Sequence, residues 1–448
     1  MRLSHNKINL LTVKNAGKTH FYDFEGGVIM SSGTQYWALP SGETLSMDIN
    51  YNTDTGPYVN AGVSVAQLQQ AIVDNTVRSV FRIYVLYPDE TIAYEIPSEY
   101  LKSGGSYSEN YQNGQRRSIS FTLYNHDGRF TPSINQFWIG TRLQLDMGLQ
   151  FLTGDTVWFQ KGIFVITSTS PSETPGSREV NISASDKFTL LESGVGVLGT
   201  TYTVPVDSDA FSLVQSILLT DTGNRYLLDP KQPIFSGGLA HKKTQMEIVK
   251  SPGDTLASII LDVATQLSAE VFYNSTGQLV FVPINEVTMD VDKPILCHFQ
   301  SDRGDISQLN FDLDYSNAVN RVVVIGTSSS GGTFTYVALN DDPASPLCYQ
   351  RIGYHTGEVI TDSNIYSMIL ARERAEYELR NQLILKNTIS ATISYNPFLE
   401  VNNIVSISDD FFGLQRDHFL IQSIGCSLDF SNQMQISISN IKNLPFLT

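Results

Sequence analysis

The sequence predicts a mainly β protein with α+β insertions, built from two similar small β-barrels and a helix-bearing α/β domain. Three observations carry this reading. Segments rich in β-branched and aromatic residues alternate apolar with polar side chains along much of the chain, the period of a strand with one wet and one dry face. Helical periodicity is confined to a few capped segments. One series of four strand-like segments occurs twice, in the same order and at roughly the same spacing.

In chain order, residues 1–78 read as an N-terminal extension or arm. Arg2, His5, Lys7 and Lys14 accompany only a brief apolar patch, Ile8 to Val13, too short for a secretion signal. No run approaches the ~20 apolar residues that span a bilayer. Folding in a cytoplasm, without stable membrane insertion, is expected. A short helix should follow Ser64, with Leu68 and Ile72 on one face. The first barrel occupies 79–192, with clear alternation in Phe81–Leu86, Ser118–Leu123 and Arg142–Asp146.

An α+β insertion domain spans 193–295. Asp209 opens a helix carrying Phe211, Val214 and Leu218, and Asp254, after Pro252 and Gly253, caps one in which Leu256, Ile259, Ile260, Val263 and Leu267 share a face. The second barrel takes 296–332 and 386–448, interrupted by a helical insertion at 333–385. That insertion's helix should begin near Asp362 or Ser363 and end at Leu385, with Ile365, Ile369, Leu379 and Leu383 apolar.

The repeat sets Arg117–Leu123, Gly140–Asp146, Gly162–Ser168 and Arg178–Ala184 against Lys386–Ile393, Asn402–Asp409, Asp417–Ser423 and Met434–Ser439. Ile163–Ser168 lies opposite His418–Ser423, and Val180–Ser183 opposite Gln435–Ile438. Val80–Leu86 precedes the first copy and Arg321–Gly326 the second, so each has about five strands, enough for a small barrel. Three chains with two such barrels each present six similar units round an axis, and a threefold object can then abut a sixfold tube.

The 448 residues imply several domains, and 41% hydrophobic with 17% charged residues suits packed structure throughout. A net charge of −16 has the wrong sign for gripping phosphate backbones. It is compatible with an acidic wall past which DNA slides, or simply with solubility. Cys297, Cys348 and Cys426 form neither a disulfide framework nor a zinc knuckle and read as buried thiols.

Catalytic and metal signatures are missing from the pattern. His5, His20, His126, His241, His298, His355 and His418 occur singly, without metal-ligand spacing. His126 beside Asp127 sits in a turn that accounts for both. Asp341-Asp342 and Asp409-Asp410 lack the rest of a calcium loop, and Glu90 and Glu95 read as a wet strand face rather than a glycosidase pair. No phosphate-binding glycine loop or nucleophile elbow occurs; Ser328–Gly332 is a flexible loop. Catalytic, cofactor and metal residues are therefore each expected to be none. A rival reading as a carbohydrate-binding or glycan-cleaving β protein rests on Trp37, Trp138, Trp158 and 21 tyrosines, since aromatic faces stack on sugars.

Several stretches resemble the baseplate-hub family of tailed phages. They are Asn125-His126-Asp127-Gly128-Arg129-Phe130-Thr131-Pro132, Phe137–Arg142, Trp158–Ile166 and Ser185–Leu191, followed by Asn317–Val322, Ala371–Leu379 and Asn396–Leu399. Together they cover residues 79 to 448, while 1–78 depart from the pattern. The resemblance implies two tube-type barrels in a structural, non-enzymatic homotrimer at a virion tail tip. It would adapt a hexameric tail tube or distal tail ring to a central spike, with a tape measure protein as a further partner and DNA passing through without specific binding.

Overall fold

In the computed structural model, residues 76–441 are described apart from 133–136, 153, 220–228, 288–292, 294, 312–317, 329, 386–387 and 430. Before them, residues 71–72 and the strands Leu10–Asn15, Lys18–Asp23, Gly33–Ala38, Thr44–Ile49 and Tyr58–Val59 are described. Most of the helix expected after Ser64 lies outside the described residues.

The chain is mainly β. Its first unit comprises β1 (Val77–Leu86), β2 (Leu101–Asn110), β3 (Arg117–Tyr124), β4 (Arg142–Phe151), β5 (Thr156–Thr174) and β6 (Ser177–Asp186). Their spatial order is β1-β4-β5-β6-β3-β2. The second unit comprises β7 (Ile295–Gln300), β8 (Ile306–Phe311), β9 (Thr388–Ser394), β10 (Ile404–Asp409), β11 (Leu414–Leu428) and β12 (Gln433–Asn440). Its order, β7-β10-β11-β12-β9-β8, repeats the first strand for strand. One difference is that β1 runs antiparallel to β4 whereas β7 runs parallel to β10.

The correspondence extends to single hydrogen bonds. Gly140 and Asn402, both left-handed at φ 89° and 66°, open β4 and β10. The Gly140 N–H donates to the Ile166 carbonyl (2.9 Å) and Asn402 to Ile421 (2.8 Å); Ile166 donates back to Thr141 and Ile421 to Asn403, each at 2.9 Å. A bulge interrupts β5–β6 between Ile166 and Ser168, and β11–β12 between Ile421 and Ser423. An extra residue at the same place in both ladders turns both strands alike.

Three expectations need correction. Neither unit's strand order closes on itself, so the two barrels are open: β2, the strand available for closure, has β3 on one edge and β11 of the other unit on the other. The strand preceding the second copy is not Arg321–Gly326 but β7 and β8, placed before a long excursion. Arg321–Thr327 pairs with Thr333–Leu339 and Ile360–Thr361 in a separate sheet, packed against the helix Met368–Leu385. The sixth-strand alignment is also shifted by one residue. Ladder and bulge match Val180, Ile182 and Ala184 with Met434, Ile436 and Ile438, all buried; a slip of one would place Gln435 in the core.

The inward residues of both units form one apolar core that includes Leu143, Phe164, Ile182, Phe419 and Ile436. Between the units in sequence lies a second core, in which the helices Ala210–Leu218 and Leu256–Leu267 pack with Ala269–Tyr273 and Leu279–Pro283. Asp209 caps its helix as expected, its carboxylate accepting from the Ser212 N–H at 2.8 Å. The next helix is capped by Thr255, whose Oγ1 accepts from Ser258 (3.2 Å), while Asp254 turns back to accept from Ser251 (2.7 Å). The helix expected from Asp362 starts at Met368 because Ile360–Thr361 joins a sheet and the Ile365 carbonyl accepts from Thr327 (3.0 Å). Ile369, expected on its apolar face, is exposed, and Leu370 and Ala371 take that role.

Candidate functional site: the joint between the units and their open edges

The two units meet edge to edge. The far half of β11 pairs with β2 from Ser423 opposite Asn110 to Leu428 opposite Gly105. One continuous sheet therefore runs β5-β6-β3-β2-β11-β12-β9-β8. Gly105 permits the close approach: a Cβ there would meet the Ser120 carbonyl oxygen at 2.7 Å and Leu428 Cδ1 at 3.2 Å. Gly105→Ala is expected to destabilise the chain by about 1–3 kcal/mol through overpacking, read as a lower denaturant midpoint.

A polar network lies under this joint. The Arg117 guanidinium forms an ion pair with Glu109 (Nη2 at 2.6 Å), donates through Nη2 to Glu400 (3.4 Å), and donates through Nη1 to the Tyr273 carbonyl (2.6 Å). One side chain thus ties the first unit, the second unit and the intervening helix-bearing segment. Burial opposes its charge, but Glu109 and Glu400 outweigh that and raise its pKa. Beside it, Arg116 pairs with Glu270 (2.7 Å) and stacks 3.5 Å from the Phe272 ring centroid, and Tyr111 and Tyr377 both donate to Glu270. Asp186 accepts from the backbone N–H groups of Arg116 (2.7 Å), Arg117 (2.9 Å) and Phe188 (3.1 Å); burial nevertheless pushes its carboxyl up to about 6. Lys187, fully buried, reaches Glu90 (2.5 Å) and Asp229 (2.7 Å), and burial pulls its ammonium below the usual lysine range.

The joint leaves two edges without a ladder partner among the described residues. Seen from the second unit, β11 beyond its bulge is covered by β2. The equivalent stretch of β5, Ser168 to Thr174, pairs with β6 on one side and has no strand on the other. Likewise β2 of the first unit is flanked on both sides, whereas its equivalent β8 pairs only with β9. Each chain thus carries one joined copy of an interface and the two unjoined halves of a second.

Residues singled out for chemistry fall elsewhere. Asp127 accepts from the Tyr100 hydroxyl (3.0 Å) and from Arg129, and Gly128 takes φ 77°, the tight turn expected there; His126 stacks on Tyr124. Asp409 accepts from Ser301 (2.5 Å) and from the Phe412 N–H (2.8 Å), and Asp342 from Ala344 (2.9 Å), so both serve loops. Glu95 is exposed as expected, but Glu90 is not a wet-face residue: its carboxylate is buried among Lys187, Lys231 and Arg142. Trp158 carries the Arg82 guanidinium 4.1 Å from its ring centroid, Trp138 is half exposed, and the Trp37 side chain lies outside the described residues. Among the described residues, no group of three His, Cys, Asp or Glu side chains could hold a metal, and no helix is long and apolar enough to cross a membrane.

All three cysteines are unpaired with one another; Cys348 and Cys426 are buried and Cys297 partly so. Burial pushes the thiols of Cys297 and Cys426 up to about 12. Since the thiolate is the reactive form, neither of these two is expected to react with a disulfide reagent at pH 8 within minutes, nor is Cys348, whose side chain is buried out of a reagent's reach, and all three should react in denaturant. One fast equivalent of released thiolate from folded protein would contradict this.

No protein-family model and no curated protein sequence matches the chain. Among solved structures, the tail protein from Neisseria meningitidis MC58 superposes with a TM-score of 0.54 at 13% identity, covering 82% of this chain and 98% of that one. The 43 kDa tail protein of prophage MuSo2 from Shewanella oneidensis gives 0.53 at 13% identity, covering 82% and 99%. The chain has the phage tail-protein fold. Within that fold, the repeated strand order and the shared core are internal features, argued from this chain's own ladders. The network residues Arg117, Glu109 and Glu400 were missed in the sequence; the available signal was Glu109 two positions after Tyr107, a charge on the apolar parity of β2.

Proposed function

We propose that this phage tail-fold protein is the structural hub of a phage or phage-like tail tip, a homotrimer that adapts a hexameric tail tube or distal tail ring to the central spike. It performs no catalysis. One observation carries the reading. The continuous sheet has a four-strand repeat, β5-β6-β3-β2 followed by β11-β12-β9-β8, and ends in two edges that are the halves of its own internal joint. Head-to-tail pairing of β8 with the next chain's β5 adds copies by the same rotation each time, so the contact is heterologous and must close as a ring or grow as a filament.

Three chains close such a ring with six near-equivalent units, the arrangement that lets threefold and sixfold neighbours share one axis. The ring satisfies the backbone groups of both edges, which otherwise invite aggregation. DNA passes through its bore, and a tape measure protein occupies it before ejection. Mass photometry of the purified chain tests this directly. The expected species is a trimer of the 49.7 kDa chain, alone or with the tube protein of the same phage. A monomer under both conditions refutes the reading.

A further inference from the structure

The outward face of the continuous sheet has an unusual chemistry for a chain of net charge −16. One transverse row, in unbroken register across five strands and both units, reads Ser168, Ser183, Ser120, Ser106 and Ser427. The neighbouring rows continue with Ser, Thr, Asn, Gln and Gly, with Tyr124 in the marginal row beside Glu179. The polar side chains bond to one another across strands: Ser106 to Ser120 at 2.9 Å, Ser108 to Ser118 at 2.7 Å, and the Thr122 hydroxyl to the Asn181 side-chain Oδ1 at 2.7 Å. Among the described residues of these strand rows, the ionised groups are Lys102 and Glu179 at one margin, and they neutralise each other at 2.8 Å.

This surface has the means to hold very little. A protein partner needs apolar anchors, and none of the large exposed hydrophobic side chains belongs to these rows. Sugars need an aromatic platform, and among the described residues of these rows the one aromatic, Tyr124 at the margin, is stacked on His126. Stable nucleic-acid binding needs Lys or Arg opposite phosphates, and the single lysine is already paired. Carboxylates, abundant elsewhere in the chain, are equally kept off, so a polyanion meets no repulsive barrier. Hydroxyls already bonded across strands offer phosphate oxygens little that water does not.

We propose that this face lines the bore and is a neutral sliding surface for duplex DNA, neither cationic enough to trap it nor acidic enough to resist it. The inference rests on the hub reading and deepens it, putting a neutral face where the net charge had left open either an acidic wall or mere solubility. Geometry agrees. β1, β4, β7 and β10 pack against the opposite, apolar face, so a ring formed by continuing the sheet carries its bulk outside and leaves the serine face toward the axis.

Ser183 and Ser437 occupy equivalent positions, since they pair with Ser120 and Ser390. The double variant Ser183→Lys/Ser437→Lys therefore sets six lysines round the bore of a trimer. Three tail preparations are compared: wild type, this variant, and Ser183→Gln/Ser437→Gln, which adds bulk without charge. Incorporation of the chain is checked by mass spectrometry of purified particles, and DNA release is timed with an intercalating dye. Lysine particles should release DNA at least about tenfold more slowly, and rising salt should restore the rate; six cation–phosphate contacts imply a log–log salt slope of up to about −5 in duplex affinity. Glutamine particles should behave as wild type. Normal particles whose lysine variant releases DNA at the wild-type rate overturn the sliding surface and leave the hub intact. Equal slowing by lysine and glutamine overturns it too, assigning the effect to bulk. A wild-type chain that never enters particles overturns both readings.

Discussion

Replacing Arg117 with methionine is expected to cost about 3–5 kcal/mol, the largest single-residue effect on folding in this chain. Arg117 is 3% exposed and its guanidinium lies between the carboxylates of Glu109 and Glu400. Methionine fills much of the volume but removes the cation, leaving two like charges facing each other in a medium that screens them poorly. The loss should appear as a lower denaturant midpoint in tryptophan fluorescence. Methionine at 117 combined with Glu109→Gln and Glu400→Gln should recover most of it, because a neutral triad removes both the repulsion and the desolvation of charge. If the single variant unfolds at the wild-type midpoint, the three segments are not coupled through this side chain.

The same residue marks the limit of what could be read from the sequence. Alternation in Ser118–Leu123 and Arg142–Asp146 identified strands because one face of each is buried, and the order of the four segments identified the repeat because equivalent strands bury equivalent faces. Position of the last strand failed by one residue since Val-Asn-Ile-Ser and Gln-Ile-Ser-Ile patterns match at either parity unless the bulge at Thr167 and Gln422 is known. Arg321–Gly326 misled for a related reason: Val-Val-Val-Ile is a good strand anywhere, and only its partner at Thr333–Leu339 separates it from the main sheet. Barrel closure failed because composition cannot tell which strand edges face each other. Buried charges were invisible for the opposite reason: Arg, Glu and Lys are read as surface residues unless three distant segments are already known to converge on them.

Disulfide cross-linking provides the sharpest test of the two open edges. Inside the chain, Ser106 of β2 lies opposite Ser427 of β11. Asn310 is the counterpart of Ser106, each pairing with the equivalent serine, 390 or 120, and Ser172 is the counterpart of Ser427. If neighbouring chains repeat the internal joint, Asn310 of one chain faces Ser172 of the next. Residues directly opposite in an antiparallel pair have Cα atoms about 4.5–5.5 Å apart, within the range a disulfide spans. The variant Asn310→Cys/Ser172→Cys should therefore convert under mild oxidation to a covalent trimer on a non-reducing gel, while each single variant stays monomeric there. The three native thiols, unreactive in the folded chain, give no background. Moving one cysteine two positions, to Ser170, displaces it about 7 Å along the strand and should cut the yield sharply. A trimer by mass that fails to cross-link would show that the chains associate through another surface. Cross-linking that stops at dimers would mean the head-to-tail contact forms but the ring does not close, and pseudo-sixfold symmetry would fall with it.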